Sequence, residues 1–132
     1  MAEGVARHLQ QSGRLSADLF FASAGTTAFD GEPMSESTAA VLERLGVATN
    51  GTSKRLTAAM VRKADHVLCM TRNHVSAAQS LVNGDGHLGA KIQLLDPKGD
   101  IDDPIGHGSD SYNAISIQLL KLIPERLEEM LT

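Results

Sequence analysis

The chain has 132 residues, of which 42% are hydrophobic and 21% are charged, a composition typical of one folded globular domain. The net charge of −4 at pH 7 argues against a nucleic acid or an anionic membrane surface as a partner, and no apolar run approaches the roughly 20 residues of a transmembrane helix. The single cysteine, Cys69, excludes an internal disulfide framework and indicates a reducing, cytoplasmic location.

The first half of the chain predicts three helices and one strand. Apolar spacing and turn signals give this order: helix 1–11, strand 17–22, helix 33–45 and helix 58–63. The strand is a short run rich in leucine and phenylalanine, which is typical of a strand buried on both faces. Gly46 is predicted to follow the end of the second helix as its C′ residue, and Thr57 is predicted to cap the third.

The second half predicts two more strands and two more helices. They are strand 66–70, a helix capped by Thr71 that reaches about residue 82, a loop at 83–86, strand 91–95, an irregular stretch 96–109 and a final helix beginning near 109–111. Pro124 is predicted to kink that final helix. Since helices separate the strands, the order predicts an α/β fold of three layers, αβα, around a parallel sheet.

The predicted sheet is small for the helices that must cover it. Three short strands stand against five helices, and the chain starts on a helix with no strand before it. We therefore expect a first strand to be missing from these 132 residues.

The segment 102–108, Asp-Asp-Pro-Ile-Gly-His-Gly, is the strongest candidate for chemistry. Pro104 pushes Asp103 away from helical angles, and the glycines allow the backbone to turn close to a ligand. A carboxyl group held on such a loop is suited to act as a general acid. The alternative is a plain Asp-Pro turn without a function, and Asp102 is the second choice for the acid.

Other polar residues are weaker candidates. The Ser-Ala-Gly-Thr turn at 23–26 follows a predicted strand, at the edge where α/β sheets bind ligands, and is interpreted as a wall of the site. Cys69 lies inside an apolar strand without a glycine-rich loop beside it, so a structural role is predicted. Arg72 and His74 either face an anionic ligand or only begin a helix. Of the remaining histidines only His107, near the Asp-Pro turn, is of interest; no metal-ligand spacing or nucleotide-binding loop occurs, and no cofactor is expected.

Three segments in this order carry a resemblance to a known family: the turn at 23–26, the Leu-Cys-Met strand at 68–70 and the stretch 91–104 that ends in Asp-Pro. With them the chain resembles the low-molecular-weight protein-tyrosine-phosphatase family from just after its phosphate-binding loop to its end. The resemblance implies one phosphatase-like domain over residues 1–132, acting on a phosphorylated protein or a small phosphate ester. It also implies hydrolysis through a phosphocysteine, with Asp103 as the general acid and then as the base for the attacking water.

Two departures from the family pattern matter. The family's nucleophilic cysteine and phosphate-binding arginine lie in a Cys-x5-Arg loop that comes directly before a Met-Ala-Glu helix start, which is 1–3 here. We therefore expect the chain to be truncated at its N-terminus relative to the family, without the central first strand and the loop, and to have little or no activity as it stands. Ile105 and Gly106 stand where tyrosine-directed members have aromatic residues, which resembles the bacterial branch that includes protein-arginine phosphatases.

Three hypotheses follow, and the substrate stays open between phosphotyrosine and phosphoarginine. The chain is part of an active phosphatase whose true start lies upstream, a non-catalytic phosphatase-like binding domain, or a chain completed by a strand from a partner. Thioredoxin-coupled arsenate reduction, found in a related branch, is disfavoured because it needs additional cysteines. The sequence gives no prediction of the oligomeric state.

Overall fold

The computed structural model describes residues 1–27, 29–49, 51–83, 85–103 and 108–131. Within these ranges the chain forms α1 (Ala2–Gln11), α2 (Glu36–Arg44), α3 (Ala58–Lys63), β1 (Val67–Cys69), α4 (Arg72–Leu81), α5 (Gly86–Ala90), β2 (Ile92–Leu94) and α6 (Ser109–Leu131). The two strands pair in parallel, with Val67 opposite Ile92 and Cys69 opposite Leu94. None of the helices in the described ranges is long and apolar enough to cross a membrane.

The side chains of β1 alternate between two layers of helices. Leu68 packs against the α1–α6 cluster, whose buried residues are Val5, Ala6, Leu9, Leu95, Ile101, Leu119, Ile123 and Leu127. Cys69 belongs instead to the α3–α4 cluster, which contains Val61, Cys69, Ala78, Val82 and Ile92. Because successive residues of a strand point to opposite faces of the sheet, helices cover both faces. The predicted three-layer αβα arrangement with a parallel sheet is confirmed.

The helix ends follow the local signals of the sequence. Gly46 has a φ of +74°, and its N–H and that of Val47 donate to the carbonyls of Glu43 and Leu42 at 3.0 and 2.9 Å. This pattern satisfies the last carbonyls of α2 and confirms the predicted C′ glycine. The Thr57 hydroxyl accepts the Met60 N–H at 3.2 Å at the start of α3, as predicted.

The terminal helix is confirmed as α6, which continues past Pro124 to Leu131. Ile123 and Leu127, on either side of this proline, are both buried in the α1–α6 cluster. Helices α1 and α6 thus pack together although they lie at opposite ends of the described chain.

The prediction of a strand at 17–22 is wrong, because this part of the described chain makes no strand pairing. The Leu19 carbonyl accepts the side-chain amide of Gln10 in α1 at 2.7 Å, and the Phe21 carbonyl accepts from another α1 side chain. Side chains therefore bind backbone groups that a neighbouring strand would bind. Phe20 is 91% exposed, whereas a strand buried on both faces would hide it.

The sequence analysis also missed a helix. Helix α5 begins at Gly86, the last residue of the loop predicted at 83–86, and the Asp85 carboxylate accepts the Leu88 N–H at 3.1 Å as its N-cap. Gly84 lies outside the described residues. The sequence did not predict α5 because two of its five residues are glycines, and glycine is a strong turn signal and a poor helix former. The described chain therefore has two strands and six helices, against three strands and five helices in the prediction.

Candidate active site

The carboxyl ends of β1 and β2 lie side by side because the two strands are parallel. Met70 and Thr71 follow β1, and the Thr71 hydroxyl caps α4 by accepting the His74 N–H at 3.2 Å. Open α/β sheets form their ligand sites at this edge, where loops leave the strands and helix N-termini face the ligand. The candidate active site is therefore the edge formed by 70–74 and the loop after β2. This loop, residues 95–103, is called the Asp103 loop below.

The loop after β2 returns to the end of β1 and is held there by backbone and side chain. The Leu95 N–H donates to the Cys69 carbonyl at 2.8 Å, and six residues later the Ile101 N–H donates to the Met70 carbonyl at 2.8 Å. Between them, the Asp100 carboxylate accepts the Arg72 N–H at 2.9 Å. Both ends of the loop are thus fixed to the strand that lies beside it.

Asp103 lies two residues after Ile101, the second fixed point of the loop, and is exposed. Two Cα–Cα steps of 3.8 Å keep its Cα within about 7.6 Å of that of Ile101, which is itself buried. Asp102, the second choice for the acid, is exposed as well. Residues 104–107 lie outside the described residues, so the role of the Asp-Pro turn and of His107 stays a prediction.

The turn at 23–26 is attached to the first turn of α1. The Ser23 hydroxyl donates to the Glu3 carboxylate at 3.0 Å, and Arg7 forms an ion pair with the same carboxylate at 3.2 Å. On its other side, the Gly25 N–H donates to the Lys54 carbonyl at 2.9 Å. These contacts fix the turn between α1 and the segment before α3, and its role as a wall of the site stays a prediction.

The start of α1 and the end of β1 rest on the same core. Met1 and Met70 both pack against the α1–α6 cluster, of which Ile101 is a buried member. Burial lowers the pKa of the Met1 amino group below its usual value, and the Glu3 carboxylate opposes this shift. The α1–α6 cluster therefore contacts both the N-terminal end of α1 and Ile101, which lies two residues before Asp103.

Cys69 packs in the α3–α4 cluster, and the residue is only 8% exposed. Burial raises the pKa of the Cys69 thiol, which disfavours the thiolate needed for nucleophilic attack. This environment agrees with the structural role predicted for it.

The other candidate residues are distributed over two edges. Arg72 and His74 lie in the first turn of α4, beside the Asp103 loop, whereas His66 and His87 line a shallow cavity with Lys91 at the opposite edge. Among the described residues, no group of three or more His, Cys, Asp and Glu side chains is placed to hold a metal ion.

Asp100 was not singled out from the sequence, although its carboxylate contacts the first residue of α4. The only local signal is an acidic residue in a loop that must pass a helix N-terminus, where a negative charge is favourable.

The architecture described above defines the chain as an α/β protein with a parallel sheet covered by helices on both faces. A family model for low-molecular-weight phosphotyrosine protein phosphatases matches residues 1–132, and the chain belongs to this family. A comparison with curated proteins finds no match.

Three solved structures illustrate the similarity. The YwlE arginine phosphatase from Geobacillus stearothermophilus is 28% identical with a TM-score of 0.78, over 98% of this chain and 84% of that one. A low-molecular-weight protein tyrosine phosphatase from T. tengcongensis is 27% identical with a TM-score of 0.78, over 98% of this chain and 88% of its own. Another low-molecular-weight protein tyrosine phosphatase, from Bacillus subtilis, is 25% identical with a TM-score of 0.82, over 97% of this chain and 87% of its own.

Proposed function

We propose that this chain carries the general-acid part of a protein phosphatase active site, with Asp103 as the acid. The observation that carries the proposal is the attachment of the loop after β2 to Met70 and Arg72, which brings Asp103 to the carboxyl edge of the sheet. A general acid must be held within hydrogen-bond reach of the leaving group, and the contacts of Asp100 and Ile101 fix the backbone just before Asp103.

In the proposed reaction a cysteine thiolate attacks phosphorus, and the bond from phosphorus to the leaving oxygen or nitrogen breaks. The Asp103 carboxyl donates its proton to that leaving atom. As a carboxylate, Asp103 then accepts a proton from the water that attacks the phosphocysteine, which releases phosphate and restores the thiolate and the acid.

We propose that the nucleophile is not Cys69, the one cysteine among these 132 residues. Its burial, its raised pKa and its place in the α3–α4 cluster all oppose attack on a phosphate bound at the carboxyl edge of the sheet. The chain of 132 residues is therefore expected to show little or no turnover by itself.

The proposed substrate is a phosphorylated protein, modified on tyrosine or on arginine. Solved structures of similar sequence identity to this chain include both an arginine phosphatase and a tyrosine phosphatase. Ile105 and Gly106, which replace the aromatic residues of tyrosine-directed members, favour phosphoarginine.

The second candidate function is a non-catalytic phosphatase-like domain that binds a partner through this edge. It is favoured by the burial of Cys69, which leaves these 132 residues without an accessible thiol. Completion by a strand from a partner chain is a variant of this proposal, supported by the segment 19–24, whose backbone forms no strand pairing among the described residues.

The test is hydrolysis of p-nitrophenyl phosphate and of a phosphoarginine peptide by two proteins: this chain, and the chain extended upstream by the residues that the gene encodes in frame. Only the extended protein is expected to turn over. In it, Asp103→Ala should lower kcat by about 10²–10⁴ fold, whereas the matched neighbour Asp102→Ala should keep most of the activity.

An Asp103→Ala protein with full activity would contradict the assignment of the acid. Turnover by the 132-residue chain alone would contradict the exclusion of Cys69. If neither protein turns over, the binding function replaces the catalytic one.

A further inference from the structure

We infer that Asp100 is the positioning residue for the Asp103 loop, acting through the N-terminus of α4. This inference rests on the proposed role of Asp103. The contact is the hydrogen bond of 2.9 Å from the Arg72 N–H to the Asp100 carboxylate, between residues that are 28 positions apart in the chain. Because it joins the loop after β2 to the helix after β1, it fixes one segment of the site relative to another.

Asp100 and Thr71 bind different N–H groups of α4. The Thr71 hydroxyl accepts the N–H of His74, the third residue of the helix, and Asp100 accepts that of Arg72, the first. First-turn N–H groups have no partner within a helix, and a carboxylate beside them is favoured by the helix dipole. Thr71 is therefore the local cap, and the carboxylate of Asp100 adds a tether from outside the helix.

The hydrogen bond of Asp100 lies close in sequence to Asp103, the proposed acid. Ile101, the next residue, is fixed to the Met70 carbonyl, and Asp103 follows two residues later. Loss of the Asp100 carboxylate would remove one of the two hydrogen bonds that attach residues 100 and 101 to the start of α4 and the end of β1. The segment that leads to Asp103 would then be held less firmly.

The same loop offers a matched control. The Asp96 carboxylate accepts the Lys98 N–H at 2.9 Å, a contact inside the loop that joins it to no other element. Asp96→Ala removes one charge and one hydrogen bond, as Asp100→Ala does, but leaves the tether to α4 in place.

The first experiment uses the 132-residue chain and needs no catalysis. Amide hydrogen exchange followed by NMR should be about tenfold faster at Arg72 and Ile101 in Asp100→Ala, the factor expected for the loss of one charge-assisted hydrogen bond. Asp100→Asn, which keeps an acceptor oxygen, should restore slow exchange, and Asp96→Ala should not change it at these two amides. Unchanged exchange in Asp100→Ala overturns the inference whatever the activity is.

The second experiment compares phenyl phosphate with p-nitrophenyl phosphate in the extended protein. Phenolate is the poorer leaving group and depends more on protonation, so Asp103→Ala should lose more activity on phenyl phosphate. Asp100→Ala should show the same selective loss in kcat, about tenfold with KM little changed, and Asp100→Asn should recover it.

The two proposals fail in different ways. If Asp103→Ala shows the selective loss and Asp100→Ala does not, the positioning role of Asp100 is wrong and the acid stands. If Asp103→Ala shows none, the proposed function is wrong, and the exchange rates alone decide whether Asp100 holds the loop.

Discussion

The side chain of Arg126 in α6 donates from Nη2 to the side-chain oxygen of Gln93 in β2 at 2.9 Å. The same Nη2 donates to the Leu94 carbonyl at 3.1 Å, and the Arg126 side chain is only 12% exposed. Helix α6 is thereby bound to β2, on the side that does not pair with β1. The Asp103 loop follows β2 directly.

We expect Arg126→Ala to lower the free energy of unfolding by about 1–2 kcal/mol, because the Leu94 carbonyl and the Gln93 oxygen lose a charged donor. The buried Nε has no hydrogen-bond partner among the described residues, which keeps the effect below that of a fully satisfied guanidinium. Urea denaturation measures the change. The control is Glu129→Ala, whose ion pair with Arg126 is 64% exposed on the glutamate side and should contribute less than about 0.5 kcal/mol. Equal effects of the two substitutions would contradict this account.

Gly4 of α1 lies against the side chain of Leu42 in α2. A Cβ added at Gly4 would come within 2.6 Å of the Leu42 side chain, which is 2% exposed and enclosed by the core. Gly4→Ala should therefore destabilise the chain by about 1–3 kcal/mol despite the better helix propensity of alanine.

Gly89 in α5 provides the opposite case, since nothing lies within 4 Å of a Cβ built there. Gly89→Ala should raise the midpoint of thermal unfolding, with a gain of about 0.5–1 kcal/mol. A stabilising Gly4→Ala would show that Leu42 can move aside, contrary to the packing described here.

Leu119 is the centre of the α1–α6 cluster on α6, with 1% of its surface exposed. Leu119→Ala removes buried carbon atoms and leaves a cavity, so a loss of about 2–5 kcal/mol is expected in chemical denaturation. Ile117, two residues earlier on the same helix, is 68% exposed, and Ile117→Ala should change stability by less than about 0.5 kcal/mol. Similar losses at both positions would mean that α6 packs with a different face.

Cys69 makes stability depend on pH in the alkaline range. Its thiol has a raised pKa in the folded chain, so between the usual value of 9.0 and the higher folded value the unfolded chain binds fewer protons than the folded one. The free energy of unfolding should therefore fall as pH rises through this window. In Cys69→Ala this contribution is absent, so the stability difference between the two proteins should shrink between pH 8 and pH 10.5. A constant difference over that range would show that the thiol is not shielded from water.

The helix ends were predicted correctly because they are decided within a few residues, whereas the αβα arrangement followed from the alternation of strands and helices. Thr57 and Thr71 act as caps through N–H groups three residues later, and Gly46 ends α2 by contacts with its own last turn. The strand at 17–22 was predicted wrongly because strand formation depends on a neighbour, and Gln10 supplies the contact to Leu19 instead. Asp100 escaped notice for the same reason, since its partner Arg72 lies 28 residues away.

The two hydrophobic clusters also differ in how much chain must be ordered to form them. The α3–α4 cluster draws its buried residues from 61–92, whereas the α1–α6 cluster joins Val5 to Leu127. Contacts between residues close in sequence cost less chain entropy and form earlier in folding. We therefore expect the 61–92 region to be structured in the folding transition state, while Val5 and Leu127 give φ-values near zero. The Asp103 loop, which joins the early region to the late one, would then reach its final position only when the two ends of the chain meet.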